Sequence, residues 1–144
     1  MSTILDSCTM LGVRLLTTKS ESKAENLEQG KYAVQLQHGV FFHPQEGVEG
    51  VDFLVETETI VKGLNSDKKD VEVFSVSCKH RFAYSVLSGI KMEKVEKNID
   101  EFRHPLFLVS RSHIARSMSE MGFNPQGLPY SLVQQPAEKK KKKK

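Results

Sequence analysis

Cysteine is scarce in this chain, and long apolar runs are missing. The two cysteines among 144 residues, Cys8 and Cys78, form no CxxC pair. With no sign of export, two reduced thiols in a cytoplasmic protein are expected. The longest apolar run, Leu106–Val109, falls far short of the ~20 residues that a membrane-spanning helix needs. Asp6 and Arg14 interrupt the stretch where a secretory signal would place its apolar segment, so none is expected. No internal repeat is visible.

Excess charge of one sign is missing from the body. Lys139–Lys144 supply six of the 21 Lys and Arg, and the remaining 15 are outweighed by 18 Asp and Glu, leaving −3. A mildly acidic body provides no broad basic field for nucleic acid. The lysine run alone could bind phosphate without sequence preference, or act only as a solubilising tail. It repels itself, and residues 137–144 are expected to be disordered. Hydrophobic residues at 38% and charged residues at 27% indicate one globular domain over residues 1–136.

Catalytic signatures are absent as well. There is no phosphate-cradling glycine loop and no GxSxG elbow, so no enzymatic activity is expected. His38, His43, His80, His104 and His113 show no HExxH and no i,i+4 pair, so neither a metal nor another cofactor is expected. Cys78 and His80 share one strand face, which reads as a half-buried surface rather than a thiolate–imidazole pair or two metal ligands. Asp52, Glu56 and Glu58 read as a solvated strand face.

What is present is alternation. Over Val51–Lys62, Val51, Phe53, Val55, Thr57, Thr59 and Val61 point one way. Over Val71–Leu87, Phe74, Val76, Cys78, His80, Phe82, Tyr84 and Val86 share a face. The polar turn between these runs predicts a hairpin. Val34–Phe42 is a third strand, and Met10–Thr18 a fourth with Leu11, Val13, Leu15 and Thr17 in phase. Ser20–Gly30 reads as a loop. Ser88–Arg103 is a charged connector with Ile90, Met92 and Val95 recurring through it.

A helix is predicted over Pro105–Met121. Phe107, Ile114, Met118 and Met121 form one stripe, and Gly122 suits the position just past the end. Leu128–Gln135 has room for a short second helix. Strands followed by helices indicate an α+β fold with a four-stranded antiparallel sheet. Phe41 and Phe42 are adjacent and must point apart. If the helix covers one face, Phe41, Leu54 or Ile60 remain on the other, which a second subunit, a client or a further segment of the chain would cover.

The helix opens on Leu106-Phe107, with Arg111 and Ile114 following. Gly122-Phe123 and Pro125-Gln126 then lead to Leu128-Pro129. These residues resemble the end of the SecB-type protein-export chaperones. In that family an LF dipeptide opens the long helix, an Arg and an Ile follow at this spacing, and a G-x-FPQ segment leads into a second helix. The resemblance implies a homotetramer built as a dimer of dimers. It also implies holding of non-native polypeptides in apolar grooves, delivery to the translocase motor, and no catalysis. Relatives partner toxin–antitoxin systems, where the client is an antitoxin.

The family places its subunit contact on the long helix, which implies an interface at Phe107, Ser110, Arg111, Ile114 and Met118. Its client groove lies between segments equivalent to the connector and the C-terminal stretch. That implies walls of Ile90, Met92 and Val95 on one side and Leu128, Tyr130, Leu132 and Val133 on the other, with Phe41 or Phe42 contributing. The alternative is that these residues only cap the subunit's own core. The weakly charged body, Lys79 and Arg81 on a polar strand face, the short second helix and the lysine tail depart from the export chaperones. A mobile-element or toxin–antitoxin-associated relative with a dedicated client also fits, as does an inhibitory or nucleic-acid-associated protein acting through the tail.

Overall fold

The computed structural model describes residues 3–23, 32–44, 49–65 and 71–129. Four long strands, β1 (Cys8–Ser22), β2 (Tyr32–Pro44), β3 (Phe53–Asn65) and β4 (Glu72–Val86), form one antiparallel sheet in the order β1-β4-β3-β2. A short helix α1 (Met92–Lys97) and a 3-10 turn (Ile99–Phe102) lead into the long helix α2 (Arg103–Glu120). The α+β architecture read from the sequence is the architecture found.

The β3–β4 hairpin follows its hydrophobic pattern closely. Phe53, Val55, Thr57, Thr59 and Val61 of β3 are buried, as are Phe74, Val76, Cys78, His80, Phe82 and Tyr84 of β4. Alternate side chains along each strand point to one face, and α2 lies on that face. The helix contributes Leu106, Phe107, Ser110, Ile114, Ser117 and Met118 to the contact.

β1 departs from its expected phase. Register shifts between Met10 and Gly12 and between Leu15 and Thr17 mark two irregularities against β4. An extra residue at such a point resets which face the following residues take. Met10, Val13, Leu15 and Thr18 therefore sit opposite Tyr84, Phe82, His80 and Cys78 on the helix side, and Thr17 joins Lys79 on the other. The strand also continues to Ser22, into the stretch read as a loop.

The core has two apolar ends and a polar waist. At one end Phe53, Val55, Phe82, Tyr84, Val95, Phe102 and Leu106 pack together, with Ile4 closing the cluster. At the other end Val61, Phe74, Val76, Ile114, Met118, Phe123 and Leu128 do the same. Thr57, Thr59, His80 and Ser110 lie buried between them. Small Ser110 lets the helix approach the sheet there, and its Oγ lies 3.4 Å from His80 Nδ1.

α2 ends on a Schellman motif. Gly122 takes φ 91°, its N–H donates to Ser119 O at 3.0 Å, and Phe123 N–H donates to Met118 O at 2.8 Å. Phe123 and Met118 both enter the second cluster, the apolar contact that usually accompanies this cap. No helix starts at Leu128. A 3-10 turn over Pro125–Gly127 is followed by Leu128 in extended conformation, at φ −74° and ψ 132°. Residues 130–135 of the expected second helix, and the tail, lie outside the described residues.

Candidate functional site

The helix leaves two surfaces uncovered. One is the outer face of the sheet, on the side away from α2. No described element packs on it. Phe41 on β2 is 50% exposed there, and Leu54 and Ile60 on β3 are half-exposed. An open groove of about 530 Å³ lies at the β1 side of this face, where Gly12, Arg14, Val51, Leu54, Arg81 and Ala83 line it.

Cross-strand rows organise the face. Phe41, Glu56, Arg81 and Arg14 form one row across all four strands. Arg81 donates from Nε and from a terminal nitrogen to Glu56 Oε2, at 2.9 and 2.8 Å. His43 Nε2 lies 3.7 Å from the other oxygen of Glu56. The neighbouring row puts Glu58 opposite Lys79. The solvated strand face expected from the sequence is thus a face of opposed charges with apolar residues set among them.

The second uncovered surface is β1 itself. It is an edge strand, and Met10, Leu11, Val13 and Leu15 are each at least 42% exposed. α2 lies over β4, β3 and β2 and leaves the helix-side residues Met10, Val13 and Leu15 bare. Thr18 Oγ1 and His113 Nε2, 2.7 Å apart, tie β1 to the helix. An exposed apolar edge with unpaired backbone groups is a template for another strand.

The expected groove residues do not converge. Phe42, Ile90 and Met92 are half-buried against the first core cluster, and Val95 is fully buried within it. Leu128 is fully enclosed in the second cluster, at the opposite end of α2. Val95 and Leu128 are core side chains rather than groove surface, because the connector and the C-terminal stretch seal the two ends of the sheet–helix layer. Phe41 points to the outer face, away from both. Tyr130, Leu132 and Val133 lie outside the described residues.

The helix stripe has a similar fate. Phe107, Ser110, Ile114 and Met118 are 0–1% exposed and are covered by the chain's own sheet. Arg111 is half-buried and donates to the carbonyls of Pro129 and Leu128 at 3.1 and 3.2 Å, clamping the C-terminal stretch to α2. The exposed side of α2 carries Leu108, Ser112, Arg116 and Ser119 instead.

Cys78 and His80 face the helix as their spacing requires. Burial pushes the Cys78 thiol up to about 11, with a hydrogen bond to Ser110 pulling the other way. The thiol is therefore protonated near neutral pH and is a poor nucleophile there. Burial, then the charge of His113, lowers the pKa of His80. Among the described residues no cluster of His, Cys, Asp and Glu is arranged to hold a metal.

The residues that sequence reasoning missed are those of β1 and of the arginine row. Leu11-Gly-Val13-Arg14-Leu15-Leu16 carries apolar residues on both parities, a signal that neither face of this strand is simply wet.

No family profile and no curated protein sequence matches this sequence. The structure is similar to that of a Mycobacterium tuberculosis SecB-like chaperone solved in complex with a ChAD peptide from an antitoxin. The TM-score is 0.67 at 12% identity, over 87% of this chain and 91% of that one. A Streptococcus agalactiae protein of unknown function matches with a TM-score of 0.42 at 10% identity, over 77% of this chain and 86% of that one. The likeness to the chaperone establishes a SecB-like fold for this chain. No described helix is long and apolar enough to cross a membrane.

Proposed function

We propose that this SecB-like chain is a chaperone-type holding protein that binds extended, non-native polypeptide segments on the outer face of its sheet. The observation that carries the reading is the asymmetry of the sheet. One face is sealed by α2, and the other is bare over four long strands, with Phe41, Leu54 and Ile60 exposed or half-exposed and an open groove beside them. Holding requires no chemistry at a reacting centre. It requires apolar area, and about 25 cal/mol per Å² lets several modest contacts along one chain add up. The antitoxin peptide bound to the Mycobacterium tuberculosis chaperone supports a dedicated client at least as well as general export.

The same reading includes self-association. The helix residues expected at the subunit contact are occupied within the chain, so the contact is assigned to the β1 edge and its bare helix-side strip, Met10, Val13 and Leu15. Several copies holding one client raise the effective concentration of the remaining sites.

Suppression of aggregation of a chemically denatured protein tests the function. Phe41→Ser and Leu54→Ser should together reduce suppression per subunit while the melting temperature changes little. Unchanged suppression would move the client to another surface.

A further inference from the structure

The arginine row carries one unbalanced positive charge. Arg14 and Arg81 sit directly opposite each other on β1 and β4, and like charges so placed repel. Glu56 neutralises Arg81 through two hydrogen bonds. Arg14 forms no ion pair among the described residues. His43 leans on Glu56 at 3.7 Å and so further engages the one carboxylate of the row. Asp52, at the rim, is occupied by Val86 N–H at 2.8 Å. Glu58, in the next row, lies opposite Lys79.

Both guanidiniums line the same groove as Val51, Leu54 and Ala83. A guanidinium pair with one carboxylate already in place has room for a second, and the aliphatic lining accepts apolar neighbours of that group. The geometry points to a client with an acidic side chain flanked by apolar residues, its carboxylate received by Arg14 and Arg81. This rests on the outer face being the client surface and adds the chemistry of the segment it selects. A planar fork of donors suits a carboxylate better than a point charge would. Phosphate would be drawn to the same two side chains. The single surplus charge and the apolar walls favour a polypeptide over a polyanion.

Fluorescence anisotropy of the full chain with a labelled extended peptide tests this. The peptide alternates valine and serine around one central glutamate, and a second peptide carries glutamine there. The glutamate peptide should bind about three- to fivefold tighter, the range of a partly solvated ion pair. Arg14→Gln should abolish that preference and leave the glutamine peptide's affinity unchanged. Arg14 is on an exposed strand, so the variant retains the fold. Equal binding of both peptides to the unmodified chain would overturn the charge assignment while leaving peptide holding intact. A preference that survives Arg14→Gln would also overturn it, since the lysine tail or another cation would then be its source. Stronger displacement by a single-stranded oligonucleotide than by unlabelled glutamate peptide would give the groove to phosphate and overturn the proposal. Failure of both peptides to bind would instead count against the holding function itself.

Discussion

Gly63 and Phe74 face each other across the β3–β4 pair, and the Phe74 ring fills the space that a side chain on Gly63 would need. The ring is fully buried, with Tyr32 at 5.2 Å and Phe123 at 4.7 Å between centroids. Neither neighbour leaves it free to move. Gly63→Ala should therefore destabilise by about 1–3 kcal/mol through overpacking. Urea unfolding checks this. A variant as stable as the parent would mean that the ring can yield.

His38 makes stability depend on pH. Its Nδ1 is 2.7 Å from Thr59 Oγ1, its buried Nε2 has no hydrogen-bond partner among the described residues, and Arg103 donates to its carbonyl at 2.6 Å. Burial, then the charge of Arg103, holds its pKa down to about 4 from the ordinary 6.5. The folded state thus disfavours the proton that the unfolded state accepts. The contribution is present above 6.5 and is lost as pH falls toward 4. Between pH 7 and pH 5 the loss should be about 2 kcal/mol. His38→Asn should flatten the urea-unfolding free energy over that window. An unchanged slope would assign the titration to other groups, with His80 the first to test.

The two cysteines should differ in reactivity. Cys78 is 2% exposed with its thiol at about 11, whereas Cys8 is only partly buried. Cys8 is also shifted upward, by burial first and then by Asp52 and Glu101. Iodoacetamide at pH 8 should modify Cys8 first. Cys78 should lag a free thiol by at least about 10²-fold until urea is added. Intact-mass spectrometry reads both sites. Early labelling of Cys78 in the native protein would contradict the packing of α2 on β4.

Substitutions on β1 and α2 should separate assembly from folding. Val13→Asp and Leu15→Asp place charges on an exposed strip, so the subunit should stay folded while any oligomer dissociates. Ile114→Asp places an unpaired charge at a position 1% exposed and should unfold the subunit. Light scattering with circular dichroism distinguishes the two. Dissociation to folded monomers by Ile114→Asp would restore the helix as the subunit contact.

Much of this fold was legible because period-two alternation is unbroken through Phe53–Val61 and Phe74–Tyr84, where each strand has one sealed face. β1 was misread in phase because register irregularities carry no compositional mark, and two of them moved Met10 and Thr18 onto the helix side. The connector and the C-terminal stretch were harder still. An apolar residue such as Val95 or Leu128 looks alike in a sequence whether it walls a groove or plugs a core. Only the placement of these segments at the two ends of α2 separates the cases. The arginine row was invisible for a related reason, since Arg14, Glu56 and Arg81 meet only through strand register.

Site-specific photo-crosslinking addresses the central claim most directly. A benzophenone side chain is placed at position 41, at position 54 or, as control, at position 108 on the exposed side of α2. Each protein is mixed with a denatured client and illuminated. The account predicts client adducts from positions 41 and 54 and few from 108. Adducts from 108 alone, with positions 41 and 54 silent, would contradict it.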